Sequence, residues 1–128
     1  IIRYAEVMLN KAEALAKKPG ATLLEIAEAI SLLNQVHQRS EPTKTYLAID
    51  FLTNGSLVDE ILLERRRELA FEGHASFDLF RNEKGIPAGR GSATAAAIPY
   101  PSNYFALPIP NVDIIKAGET VLVQNKGY

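Results

Sequence analysis

The chain has 128 residues, of which 47% are hydrophobic and 23% are charged, and its formal net charge is -1. That balance is typical of a globular domain with a buried core and argues against long disordered stretches. A charge so close to zero excludes the strongly basic surface that binds nucleic acid. Because it has no cysteine, the chain has no disulfide, no thiolate metal site and no cysteine nucleophile.

Two amphipathic helices are predicted at the start of the chain. In residues 1–18, small and apolar side chains recur on one stripe, and Pro19 and Gly20 end the pattern. In residues 22–39, Thr22 and Glu25 have the spacing of a capping box. Since the connection is short, we expect the helices to lie antiparallel as a helical hairpin, the unit of helical-repeat proteins. The helical pattern is already under way at the first residue, so further helices are expected upstream.

A third, long helix is predicted after a connector that contains proline. Ser56 is the expected cap and Gly73 the expected stop. One further turn is expected over Asp78 to Arg81. Residues 56–81 therefore form an arginine-rich helix and turn.

The remainder of the chain, residues 82–128, is predicted to be rich in loops because Gly, Ala, Ser and Pro are frequent there. The segment Leu107–Pro110 should be extended, since each proline disfavours helix at the residue before it. Asn111 is expected to cap a last short turn. The predicted fold is thus mainly α: a hairpin at residues 1–39, a third long helix and long irregular C-terminal loops.

The most distinctive stretch runs from Glu64 to His74 and contains three consecutive arginines. Arg67 follows Glu64 by three residues, and Arg65 precedes Glu68 by three. This spacing favours ion pairs on a helix surface over a phosphate-binding patch.

Arg66 differs from its neighbours in this stretch. The residues three and four positions away from it are all apolar, namely Leu62, Leu63, Leu69 and Ala70. This places Arg66 on the apolar stripe, where a guanidinium needs acidic or carbonyl partners. We therefore predict a structural polar network of Arg66, Glu72, Asp78 and Arg81, which ties segments together and is not a ligand site.

No arrangement typical of catalysis is found in the sequence. Glycoside hydrolysis needs two opposed carboxylates, whereas the glutamates at positions 60, 64, 68 and 72 recur on a single helix. The chain has no phosphate-binding glycine loop or nucleophile elbow. His37 and His74 are too few for a metal centre. We predict a protein without catalytic residues, metal or cofactor.

Tyr100 and Tyr104 lie in a proline-rich loop and are the candidate ligand contacts. Exposed aromatic rings can stack on sugar faces, although covering the core from a loop is the favoured interpretation.

Taken in order, these residues resemble the C-terminal part of SusD/RagB-like proteins. The arginine-rich block followed by Phe77, Asp78 and Leu79 is the most specific part of the resemblance. The other matching stretches are Arg3 to Ala14, Leu33 to Arg39, Leu107 to Pro110 and Gln124 to Tyr128. The chain departs from the family at His37, where arginine is usual, and at Ala75 and Ser76, where Arg-Trp is usual.

The resemblance implies a non-catalytic lipoprotein of the Bacteroidetes outer membrane that binds glycan or peptide nutrients. Its implied partner is a SusC-like TonB-dependent transporter, and tetratricopeptide-like hairpins, residues 1–39 among them, would form the scaffold and transporter-facing surface. The signal peptide and anchoring cysteine would lie outside this sequence. The alternative is a helical-repeat adaptor that binds protein and no carbohydrate. Neither interpretation includes a nucleic-acid partner.

Overall fold

The computed structural model describes residues 2–51, 54–89, 94–118 and 120–128, and this part of the chain is mainly helical, as predicted. Short 3-10 helices lie at Ala48–Asp50 and Asn103–Phe105, and Ile86 pairs with Ile98 in an isolated antiparallel bridge. No helix within the described ranges is long and apolar enough to cross a membrane. The α-helices are Tyr4–Lys17 (α1), Leu23–His37 (α2), Asn54–Glu68 (α3), His74–Arg81 (α4) and Asn111–Ala117 (α5).

The chain divides into two compact units, Ile1–Ala75 (unit 1) and Ser76–Tyr128 (unit 2). Unit 1 contains α1, α2 and α3, whereas unit 2 contains α5 and all but the first two residues of α4. The segment boundaries expected from the sequence, at residues 39, 56 and 82, stay a prediction.

The first two helices of unit 1 lie antiparallel. Lys18, just after α1, forms an ion pair with Glu25 in the first turn of α2. Lys11, nearer the middle of α1, pairs with Glu28 of α2 at 2.5 Å. The end of one helix thus lies beside the start of the next, as the short connection predicts. α1 begins at Tyr4, and the predicted first helical residue, Ile1, is outside the described residues.

The capping box at the start of α2 is confirmed. Thr22 Oγ1 accepts a hydrogen bond from the backbone of Glu25 at 3.3 Å, and the Glu25 carboxylate accepts one from the backbone of Thr22 at 2.8 Å. Hydrogen bonds from Lys18 and then from Thr22 lower the pKa of Glu25 to about 2. The carboxylate therefore keeps accepting the Thr22 N–H well below neutral pH.

The core of unit 1 forms where the three helices meet. Small side chains on α1, such as Ala12, let the neighbouring helices approach closely. Tyr46, from the connector between α2 and α3, is buried against the same cluster. The side chains with at most 1% exposure are Leu9 and Ala12 on α1, Ala29, Leu33 and Val36 on α2, and Leu57 and Ile61 on α3.

The bounds of α3 differ from the prediction at both ends. The helix begins at Asn54, two residues ahead of the expected cap Ser56, and it ends at Glu68 rather than near Gly73. Phe71 and Gly73 have φ of +66° and +83°. Because an α-helix needs φ near -63°, these two residues cannot continue it, and the chain turns before α4.

The two helices of unit 2 also differ in length or capping from the prediction. α4 spans eight residues, His74–Arg81, where a single turn from Asp78 was expected. Asn111 is the first residue of α5, and the N-cap position belongs to Pro110. Residues 107–110 have no regular secondary structure, and Pro110 has φ -56° and ψ 129°. This is the extended conformation expected for the segment.

We predict that Leu33→Ala lowers the free energy of unfolding by about 2–5 kcal/mol, since it leaves a cavity at the meeting point of the three helices. Leu23→Ala is the matched control, because Leu23 is 89% exposed, and its effect should stay within about 0.5 kcal/mol. Urea unfolding of both variants measures the difference. Equal losses would contradict this assignment of the core.

Candidate functional site

The two tyrosines predicted as ligand contacts are both exposed in unit 2. Tyr100 is 41% exposed and stacks on Phe105, with ring centroids 5.6 Å apart. Tyr104 is 56% exposed and meets Tyr128 edge-on, also at 5.6 Å. The tyrosines therefore belong to two different ring pairs, and part of each ring is open to a ligand. Such surfaces suit the apolar faces of sugars.

The loop around Tyr104 is held close to the end of the chain. Gly127 has φ +111°, and a Cβ added there would lie only 3.2 Å from Cβ of Asn103. Any other residue at this position would combine backbone strain with a tight contact. The close approach of residues 103 and 127 therefore depends on glycine.

The C-terminal tail is tied to the proline-containing segment by side-chain amides. Gln124 Oε1 accepts a hydrogen bond from the backbone N–H of Ile109 at 2.8 Å, and Gln124 Nε2 donates to the Ile109 carbonyl at 2.9 Å. Pro108 and Pro110 have no N–H, so Gln124 takes the one backbone donor between them. Two further donors reach this segment: Asn125 Nδ2 to the carbonyl of Leu107 at 2.6 Å and Tyr128 Oη to that of Ala106 at 3.0 Å.

We call this set of contacts from Gln124, Asn125 and Tyr128 the tail clamp. The clamp joins two motifs that lie apart in the sequence. Carbonyls of the extended segment accept hydrogen bonds from the tail, and the Ile109 N–H donates to Gln124 in return. A groove of about 420 Å³ lies beside the clamp and is lined by Asn111, Ile114, Leu122, Val123, Gln124 and Tyr128.

In unit 1, a buried carboxylate on α3 is the centre of a polar cluster. Glu64 is 2% exposed, and its Oε2 lies 2.9 Å from His37 Nδ1 and 3.2 Å from Arg67 Nη1. An ionised carboxylate only accepts, so His37 donates through Nδ1. The predicted ion pair between Glu64 and Arg67 is confirmed, although Glu64 was expected on the surface.

The second nitrogen of His37 is left without a hydrogen bond to any described residue. His37 Nε2 lies 3.4 Å from Glu41 Oε2, without hydrogen-bond geometry. The ring packs against Tyr46, with centroids 4.9 Å apart. His37 is thus a buried histidine that packs against the core of unit 1.

Tyr46 joins the connector to both α2 and α3. Asn34 accepts from the backbone N–H of Tyr46 at 2.8 Å and donates to its carbonyl at 2.9 Å. The Tyr46 hydroxyl donates to Glu60 Oε1 at 2.6 Å. Burial, and then the bond to Glu60, raise the pKa of Tyr46, so the hydroxyl remains a donor. Lys44 lies 4.5 Å above the ring.

A second polar cluster links the start of α1 to the end of α3. Arg3 donates to Glu68 Oε1 at 2.8 Å and to Glu72 Oε1 at 2.6 Å. Arg39, just beyond α2, also contacts Glu68 Oε1, at 3.3 Å. The hydrogen bond to Glu72 is the main cause that raises the pKa of Arg3. Arg3 thus holds together segments more than 60 residues apart in the sequence.

The predicted position of Arg66 on the buried face of α3 is wrong. Arg66 is exposed, whereas its neighbour Arg65 is buried, at 3% exposure. Arg65 Nη1 donates to Asn10 Oδ1 on α1. The physical reason is the rotation of the helix, because Ile61, Glu64 and Arg65 face the other helices and turn Arg66 to solvent.

The other three residues of the predicted polar network each have an ion-pair partner. In unit 2, Arg81 Nη2 donates to Asp78 Oδ1 at 2.6 Å. In unit 1, Glu72 is bound by Arg3. The role of Arg66, Glu72, Asp78 and Arg81 as one network stays a prediction.

His74, the first residue of α4, lies close to an acidic residue of α1. Its Nδ1 lies 3.8 Å from Glu6 Oε1. Across the described ranges, no group of three or more His, Asp or Glu side chains is placed to hold a metal ion.

Comparison with known proteins identifies a family and a relative that this chain resembles. The model of a family described as the SusD family matches residues 1–128. SusD-like protein P38 of Formosa agariphila is 38% identical over 91 residues, which are 67% of this chain and 17% of that relative. The matched stretch therefore spans less than a fifth of the relative's length. No solved structure matches the chain.

We predict that Arg65→Met lowers the free energy of unfolding by about 1–3 kcal/mol, because the buried Arg65 side chain loses its hydrogen bond to Asn10 on α1. Arg66→Met makes the same chemical change at the next, exposed residue, and should stay within about 0.5 kcal/mol. Thermal or urea unfolding compares the pair. A larger loss for Arg66→Met would restore the original assignment of the buried face.

For the tail clamp, we predict that Gln124→Leu speeds amide hydrogen exchange at Ile109 by about 2- to 10-fold, as expected for the loss of one net hydrogen bond. Gln124→Glu keeps an acceptor for the Ile109 N–H and should have a smaller effect. Exchange followed by NMR reads out this amide directly. An unchanged rate in Gln124→Leu would show that the clamp does not protect the segment.

Proposed function

The chain belongs to the SusD family, and on this premise we propose that it is part of a glycan-binding protein that serves nutrient uptake at the outer membrane. The observation that carries the proposal is the family match over all 128 residues. The intact protein would be a lipoprotein that faces either the cell surface or the periplasm. Its ligand would be a glycan or a peptide.

Within that protein, we propose that residues 1–75 serve as scaffold and partner-contact surface. The antiparallel pair α1 and α2 supports a tetratricopeptide-like hairpin, in which stacked helices present a face to another protein. The buried cluster around Glu64 fixes α3 and the connector against this pair. The partner would be a SusC-like TonB-dependent transporter, which takes up the nutrient that the SusD-like protein presents.

For ligand contact within this chain, Tyr100 and Tyr104 are the proposed residues. Both are more than 40% exposed, yet each is braced by a second ring, Phe105 and Tyr128 respectively. A braced ring loses little conformational entropy when a sugar stacks on it. Bracing and exposure together support a binding role.

The contacts made by the glutamates on α3 also support a non-catalytic protein. Glu64 contacts His37 and Arg67, and Glu60 accepts from Tyr46. Both carboxylates are therefore engaged as hydrogen-bond acceptors within unit 1. These residues hold helices together and leave no opposed acid pair among them.

The second candidate is an adaptor that binds protein and no carbohydrate. An open groove lined by residues of α1 and α2, among them Tyr4 and Gln35, favours it, since grooves on helical proteins can accept helices of other proteins. Glycan binding separates the two candidates, because an adaptor would show none. Co-purification with a SusC-like transporter tests the partner independently.

We predict that a glycan-array screen of the intact protein finds a ligand, and that Tyr104→Ala weakens its binding. The expected change is about 3- to 10-fold in Kd, corresponding to roughly 0.5–1.5 kcal/mol for one aromatic contact. Tyr4→Ala is the control, because Tyr4 is an exposed tyrosine in unit 1, 78% exposed against 56% for Tyr104. Isothermal titration calorimetry measures both variants.

Two results would contradict this proposal. If no glycan or peptide binds the intact protein, the adaptor becomes the better interpretation. If a ligand binds but Tyr104→Ala, Tyr100→Ala and Tyr4→Ala all leave Kd unchanged, the binding function stands and the assignment of the tyrosines falls.

A further inference from the structure

The groove of about 420 Å³ beside the tail clamp combines apolar surface with side-chain amides. Its apolar surface comes from Ile114 and Leu122, which are partly buried, and from Val123, which is 72% exposed. Asn111 and Gln124 supply the amides, and the ring of Tyr128 lines the same space. We call this surface, defined by these six residues, the tail groove.

The two amides of the tail groove differ in how far they are already engaged. Gln124 spends its carbonyl and one N–H on Ile109, which leaves the second N–H of its Nε2. Asn111 is exposed, and its side chain has no hydrogen-bond partner within the described ranges. Its amide can therefore donate to one ligand group and accept from another.

The chemistry of the lining favours a neutral ligand with hydroxyl groups. None of the six lining residues carries a charge, so an ionic ligand would lose water without gaining a counter-charge. A purely apolar ligand would cover the amide of Asn111 and leave it unpaired. A pyranose ring avoids both costs, because its C–H face is apolar and its neighbouring hydroxyls both donate and accept. The volume is also typical of small-molecule sites.

The tail groove continues into the surface proposed to contact glycan. Tyr128 lines the groove and meets the ring of Tyr104 edge-on, with centroids 5.6 Å apart. The ring of Tyr128 is fixed between them, since its hydroxyl donates to the carbonyl of Ala106 at 3.0 Å. One side chain therefore separates Tyr104 from the groove, and adjacent units of one saccharide chain can reach both.

We propose that the tail groove is a second saccharide subsite, which holds one neutral pyranose unit while the adjacent unit stacks on Tyr104. Neighbouring hydroxyls of the unit in the groove bond to the amide of Asn111. The ligand is then a neutral oligosaccharide of at least two units. This inference rests on the proposed glycan binding and deepens it, because it names the class of glycan and a further contact residue.

Titration of the intact protein with neutral sugars of two lengths provides the test. The probes are the hexoses glucose, galactose and mannose, and the disaccharides maltose, cellobiose, lactose and mannobiose. We expect at least one disaccharide to bind about tenfold more tightly than its component hexoses, because its two units occupy joined subsites. Isothermal titration calorimetry measures each affinity.

Variants of the protein locate the second unit. Asn111→Ala should weaken binding of the best disaccharide by about 3- to 10-fold, through the loss of hydrogen bonds to its hydroxyls. Asn111→Asp keeps the acceptor and lacks the donor, so it should also bind more weakly. Lys116→Ala is the matched control, because Lys116 is an exposed residue of the same helix that does not line the groove. Its affinity should equal that of the unchanged protein.

The isoleucine methyl signals report on the groove directly. In the intact protein labelled at isoleucine methyls, the signal of Ile114, assigned through Ile114→Val, should shift when the disaccharide is added. The signal of Ile61, which is fully buried in unit 1, should not shift.

Several results would overturn the proposal. These are no binding by any of the neutral sugars, disaccharides that bind no more tightly than hexoses, and an equal change in Asn111→Ala and Lys116→Ala. Tighter binding of glucuronic acid or of a peptide would assign another ligand class to the groove. If a disaccharide binds and only Tyr104→Ala weakens it, the subsite is wrong and the proposed function stands. If the glycan array finds no ligand at all, the proposed function itself falls.

Discussion

The structure of unit 1 depends on one constraint, which is that the buried carboxylate of Glu64 must be paired. Removing a carboxylate from water without partners is very costly, and a missing partner typically destabilises a buried ion pair by several kcal/mol. His37 from α2 and Arg67 from α3 meet this need. The packing of α3 on the hairpin is therefore specific, because sliding or rotating the helix would separate Glu64 from His37. In the same way, rotating α3 would break the hydrogen bond from Arg65 to Asn10 on α1.

Both units also use one device to hold an irregular segment in place. In unit 1 the side chain of Asn34 bonds the N–H and C=O of Tyr46, and in unit 2 Gln124 bonds both groups of Ile109. A side-chain amide carries both a donor and an acceptor. It can therefore bond the N–H and the C=O of one extended residue, as a neighbouring strand would do. Loops without a sheet neighbour thereby keep their backbone groups satisfied.

These contacts distinguish the side chains that hold helices together from those that remain exposed. The polar residues of α3, which the sequence makes most conspicuous, are mostly occupied in holding helices together. Outside these contacts, the rings of Tyr100 and Tyr104 in unit 2 stay exposed. Under the proposed function, scaffold and ligand contact would fall in different units of the chain.

The sequence by itself determined the features whose interacting groups lie within a few residues of each other. The positions of α1 and α2, the capping box of Thr22 and Glu25 and the pair of Glu64 and Arg67 all follow from helical spacing, which does not depend on the rest of the fold. Only the tertiary structure decided that Arg65 and not Arg66 is buried. Adjacent helical residues lie 100° apart, and the rotation that selects between them is set by partners on other helices. The tail clamp was likewise beyond prediction, because its hydrogen bonds join residues that only folding brings together.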